Sequence, residues 1–206
     1  MKTTENYLAE IKEIRKMMED SSRFLSLSGL SGILIGIYAL AGAFIFYLKM
    51  NTQQAVEYTN SIEIISLMVF IAATVLVVSL ITVVLLTYKR ASKAGKKIWN
   101  PGSRLMLINL AIPLVSGGLL ILIFIFNGVY EIVAPGCLIF YGLALVNAAK
   151  FTRQEIFYLG IFQVSLGVLA ALLPAWGLLF WALGFGVMHI IYGTLMYFRY
   201  EHSSKN

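Results

Sequence analysis

Cysteine occurs once, at Cys137, which excludes an internal disulfide framework and any site built on several thiolates. Charged residues are also scarce, at 13% of the chain, where soluble domains average about 25%. No zinc HExxH, no GxSxG elbow, no phosphate-binding P-loop and no catalytic carboxylate pair is present. What the chain has in quantity is apolar residues, 59% of the total. So little polar surface cannot clothe a soluble domain of this size, and disorder requires the opposite composition. The net charge of +6 would suit nucleic acid, but its distribution points to lipid, and no nucleic-acid partner is expected.

Uncharged runs long enough to cross about 30 Å of hydrocarbon occupy residues 24–48, 64–88, 105–126, 132–149 and 156–198. The last is too long for one crossing and must fold back at Leu173-Pro174-Ala175-Trp176-Gly177, because the residue before a proline leaves the helical region. The expectation is an all-α integral membrane protein: a bundle of six transmembrane helices, with spans at 24–48, 64–88, 105–126, 132–149, 156–173 and 175–198. A basic loop covers 89–104 and a short tail 199–206. Helices are expected because lipid offers no partner to an unpaired backbone group. The first 23 residues carry mixed charges, unlike the basic start of a signal peptide, so no processing is expected.

With the N-terminus placed in the cytoplasm, fifteen Lys and Arg fall on inside segments and one, Lys49, falls outside. This positive-inside asymmetry predicts both termini in the cytoplasm. The loop KRASKAGKKIWNPGSR, Lys89–Arg104, holds six positive charges and no acid, with Trp99 suited to the headgroup layer. It reads either as a topology determinant lying on lipid or as a site recruiting an anionic partner.

Residues 1–23 carry five basic and five acidic side chains and are expected to contain a short cytoplasmic amphipathic helix. Tyr7, Ile11, Ile14 and Met18 have the 4, 3, 4 spacing of a heptad seam. A helix lying on anionic lipid would be net basic, so this neutral segment suits a protein: the chain's own bundle, a second copy or a cytoplasmic partner.

Ser28, Gly32 and Gly36 share one face of the first span and would let another helix approach closely, a face on which Ala43 is not placed. Ala182, Gly186, His189 and Gly193 are similarly spaced in the last span. The polar residues Asn109, Asn147, Gln163 and His189 all fall in the inner halves of their spans. They read either as a polar cavity open to the cytoplasm or as interhelical hydrogen bonds. Asn109, four residues before Pro113, could also compensate the backbone broken there. His189 is the one histidine in a span, and an isolated ligand does not make a metal or haem site. No catalytic residue, metal or cofactor is expected.

The stretches FLSLSGLSGILIGIYALAGA (24–43), LINLAIPLVSGG (107–118), LIFYGLALVNAAKFT (138–152) and LLFWALGFGVMHIIYG (178–193) resemble a group of uncharacterised bacterial six-span inner-membrane proteins. The resemblance implies a class and a location, the bacterial inner membrane, and no activity. The expected role is therefore a non-enzymatic sensor, scaffold or accessory subunit coupled to a cytoplasmic partner. The alternatives are a small carrier or channel for an uncharged solute and, third, a haem or enzyme site using His189.

Overall fold

The computed structural model describes residues 6, 11, 27–51, 62–95 and 97–202, and among them every regular element is helical. Six helices follow in order: α1 Gly29–Met50, α2 Ile62–Lys93, α3 Pro101–Phe126, α4 Val133–Ala149, α5 Gln154–Leu172 and α6 Pro174–His202. Five are long and apolar enough to cross a membrane, and α4, with 17 residues, is the shorter one. This is the architecture of a helical membrane protein.

The helices overrun the apolar windows where polar residues still favour helix. The 32-residue α2 continues through Lys89–Lys93, giving a rod of about 48 Å. It ends at Gly95, whose φ of 64° is a left-handed conformation open to glycine at a helix end. α3 starts sharply because Asn100 and Ser103 form a reciprocal capping box, each side-chain oxygen accepting the other's backbone N–H at 2.9 Å, with Pro101 in the first turn. The basic connection expected over 89–104 is thus reduced to residues 94–100.

The fold-back before α6 lies where the proline places it, as a 3-10 turn over Pro174–Trp176. α6 then alternates α-helix with two π segments, Ala182–Met188 and Phe198–His202. α6 packs out of sequence, beside α1 as well as beside α4 and α5. α2 leans on α1 and α3 on α4, while α2 and α3 make no substantial contact with each other. Leu27, at the entry to α1, packs near Met106 and Leu110 of α3 and Leu145 and Ala148 of α4, so the helices converge at that end.

Candidate functional site

Among the described residues a buried polar node is built from α4, α5 and α6. Its centre is the carbonyl of Gly184, inside the first π segment, where the extra residue per turn rearranges the usual backbone ladder. Gln163 Nε2 donates to this carbonyl at 2.8 Å, and His189 Nδ1 lies 3.0 Å from it. A carbonyl can only accept, so Nδ1 carries a proton. Nε2, 2.8 Å from Tyr141 Oη, then accepts from the phenol when the ring is neutral. Gln163 is fully buried and His189 is 3% exposed. Tyr141 also stacks on His189 and lies 5.1 Å, centroid to centroid, from Phe185, which touches Trp181.

Gly184 is a spatial necessity here. A Cβ at this position would stand 2.4 Å from Gln163 Oε1 and 2.4 Å from Leu138 Cδ2. That oxygen, which accepts no hydrogen bond among the described residues, lies against the bare glycine. The node's remaining donors and acceptors are turned on one another. Among the described residues no group of three or more His, Cys, Asp or Glu is arranged to hold a metal.

Of the four polar residues grouped by sequence, the fold brings Gln163 and His189 together and leaves the other two apart. Asn109 Nδ2 donates to Leu105 O on its own helix at 2.8 Å, so it does not compensate the carbonyl left by Pro113 either. Asn147 accepts from Lys150 Nζ at 3.2 Å, one helical turn on. A short polar side chain reaches its own preceding or following turn at less entropic cost than a neighbouring helix. Tyr141 and Gly184 were missed. The signal for Tyr141 was available: a tyrosine in mid-span, far from any headgroup layer, needs a partner for its hydroxyl.

The small-residue face of α1 meets α6 backbone to backbone. A Cβ on Gly32 would come within 2.9 Å of Gly193 Cα, and one on Gly36 within 2.6 Å of Gly186 O. Gly29 belongs to the same contact, 2.6 Å from Gly193 O by the same measure. Ala43, placed off this face by sequence, is buried, because seven residues from Gly36 is almost two full turns. Of the α6 residues grouped by spacing, Gly186 and Gly193 face α1, whereas the His189 ring turns to α4. A second contact of the same kind joins α4 to α5, where a Cβ on either Gly142 or Gly160 would lie 2.7 Å from the other's carbonyl oxygen.

Ser28 does different work from the glycines. It stands before the first turn of α1 and its hydroxyl lies 3.3 Å from Glu201 Oε1. The same carboxylate accepts from Gly29 N–H and pairs with Arg90 Nη1 at 2.9 Å. Arg90 also donates to Leu27 O and, at 3.1 Å, to Tyr200 O. Beside this knot, Glu155 Oε1 accepts from Arg199 at 2.8 Å and from Tyr200 Oη at 2.7 Å, while the Arg153 guanidinium sits 3.4 Å from the Tyr200 ring centroid. One carboxylate thus ties the start of α1 to the ends of α2 and α6. Sequence placed residues 199–206 in a tail, but α6 continues to His202 and carries Glu201 into the bundle end.

Charge is distributed unequally between the two ends. Among the described residues this end holds Lys89, Arg90, Lys93, Lys97, Arg104, Lys150, Arg153 and Arg199 against Glu155 and Glu201, and the other holds Lys49, Glu63 and Glu131. Of the seam Tyr7, Ile11, Ile14 and Met18, only Ile11 falls within the described residues, in a helical position and 61% exposed. No protein-family model matches the chain, and neither a curated protein nor a solved structure does.

Proposed function

We propose that the chain is a six-span protein of the bacterial inner membrane with both termini in the cytoplasm, serving as a membrane-embedded sensor, scaffold or accessory subunit that binds a protein partner through residues 3–22. The observation that carries this reading is Ile11, a helical seam residue left 61% exposed. An apolar stripe within residues 1–23, which carry equal numbers of acids and bases, suits a protein surface better than anionic lipid. The excess of basic residues at the end bearing Arg90 and Glu201 supports the orientation. α4 is taken as the sixth crossing because it packs between the two longer helices α3 and α5 that flank it in sequence.

A non-enzymatic role agrees with the interior. In the Tyr141–His189–Gly184–Gln163 node the donors and acceptors other than Gln163 Oε1 pair with one another, and Asn109 and Asn147 are engaged by groups within one turn of their own position. A carrier for an uncharged solute would require such groups to line a path.

Crosslinking in membranes tests the partner. Ile11→Ser with Ile14→Ser should leave insertion intact and remove crosslinked heteromeric or homomeric species, and unchanged species would refute the interface. Orientation is tested by cysteines at Gln53 and Lys93 with an impermeant thiol reagent on whole cells. Only the cysteine at 53 should react, and labelling at 93 would reverse the topology.

A further inference from the structure

The first π segment of α6, Ala182–Met188, takes an extra residue into the turn. Such a turn leaves a carbonyl out of the regular backbone ladder, and a buried carbonyl needs a donor from elsewhere. The carbonyl of Gly184 receives two, from Gln163 Nε2 at 2.8 Å and from His189 Nδ1 at 3.0 Å. One donor comes from α5 and the other from α6 itself. Together they offset the cost of keeping the extra residue in the turn.

That residue sets the register of everything beyond it. Returning the π turn to α-helix would rotate the following residues by about 100° and shift them by about 1.5 Å along the axis. In the present register the His189 ring faces Tyr141 of α4, and Gly193 lies on the backbone of α1, where a Cβ would stand 2.6 Å from Gly29 O. The same register brings Glu201 to Arg90 of α2 and to Ser28 and Gly29 N–H at the start of α1. A rotation of one residue would put a side chain in place of Gly193 and carry the Glu201 carboxylate away from all three partners.

We infer that the buried node sets the register of the end of α6: by holding the Gly184 carbonyl out of the ladder, Gln163 and His189 keep Glu201 where it clamps α1 to α2. Gln163 is thus a positioning residue for an ion pair between two other helices. α5 makes no substantial contact with α1 or α2, and α6 is the element that joins both sites. Glu201 is twelve residues beyond His189, about 18 Å along a helix. The coupling is reciprocal by linkage, so a change at the charged end is felt at the node. The inference depends neither on a partner for residues 3–22 nor on the orientation in the membrane.

Gly29 N–H is the reporter. It belongs to the first residue of α1, which has no acceptor within its own helix, and Glu201 Oε1 accepts from it. Amide exchange at Gly29 is followed by NMR on the full chain in detergent with isotope-labelled glycine. Glu201→Ala removes the acceptor and gives the rate of the open clamp. Gln163→Leu should raise the Gly29 rate toward that value, by about tenfold, an ordinary coupling between sites. Gly117→Ala is the control: its Cβ would press on Phe140 between α3 and α4, so it strains the bundle away from α6 and should leave Gly29 unchanged. An unchanged rate in Gln163→Leu would overturn the inference, and so would an equal rise in Gly117→Ala. Should the leucine variant fail to fold, Gln163→Asn, whose shorter side chain draws the amide back from Gly184, carries the same expectation. Melting temperatures give a second reading. Sites this far apart normally contribute additively, but Gln163→Leu with Glu201→Ala should melt little below the less stable single variant. A loss equal to the sum of the two would show that node and clamp are independent.

Discussion

The inner helices and the outer ones are held by different means. α1 meets α6, and α4 meets α5, through glycines that place backbone against backbone. α2 and α3 attach along one flank each, through larger side chains: Val75 and Ile71 against Gly42, and Phe140 against Gly117. In lipid the hydrophobic effect does not draw helices together, so association depends on close packing and hydrogen bonds. The glycine contacts supply both the close approach and the room for the polar node. The outer helices have one packed face, and their other faces are covered with the aliphatic residues that lipid accepts. The difference separates a backbone-packed core of α1, α4, α5 and α6 from two flanking helices, each packed on one neighbour.

The sharpest way to break this contrast is leucine at matched glycines. In Gly36→Leu the Cβ alone would be 2.6 Å from the carbonyl oxygen of Gly186 and 3.0 Å from Ile190 N, atoms that cannot rotate away. Thermal unfolding in detergent should show a loss of about 3 kcal/mol, the upper end of typical overpacking costs. Gly118→Leu on α3 has open space at its Cβ and should remain within about 0.5 kcal/mol of the parent, as surface changes do. Equal losses would erase the distinction between core and outrigger.

A smaller effect is expected where α2 is tethered at the charged end. Glu201→Ala removes the acceptor shared by Arg90, Gly29 N–H and Ser28. Charge-assisted hydrogen bonds of this kind contribute about 1.5–3 kcal/mol, and a loss near 2 kcal/mol should appear in the same melts. A swap of Arg90→Glu with Glu201→Arg should recover only part of it, since an arginine cannot accept from Gly29 N–H. Full recovery would show that the ion pair alone matters.

The smallest of the three changes concerns the node. His189→Leu leaves Tyr141 Oη without its acceptor and should cost about 1 kcal/mol, given that interhelical hydrogen bonds in membranes average about 0.6 kcal/mol. His189→Gln, whose amide can still bond across the gap, should lose less. If the glutamine variant is as unstable as the leucine one, the ring's stacking on Tyr141 and Phe185, and not its hydrogen bonds, holds the node together.

Sequence made the core glycines visible because i, i+4 spacing is a local property of a helix, and Gly32 and Gly36 can be placed on one face without knowing what they face. The same reasoning erred at Ala43 through arithmetic on the helical turn. Gly184 and Gly186, two residues apart, point to nearly opposite sides of any helix and so meet different neighbours. Gln163 and His189 were legible as polar residues in apolar surroundings. Asn109 and Asn147 looked equivalent and were not, since a side chain's choice between its own helix and another depends on the distance to that other helix.

Helicity, the fold-back at Pro174, the basic excess of certain segments and the positions of small residues follow from the sequence alone. Each depends on composition or on neighbours within one or two helical turns. The pairing of α1 with α6, the lack of substantial contact between α2 and α3, and the partners of His189 and Glu201 were decided by the tertiary structure. Tyr141 is 48 residues from His189, and Arg90 is 111 from Glu201. No local periodicity connects such positions. In an apolar solvent the strongest selector among possible neighbours is the fit of one helix surface to another, and that fit exists only once both surfaces are formed.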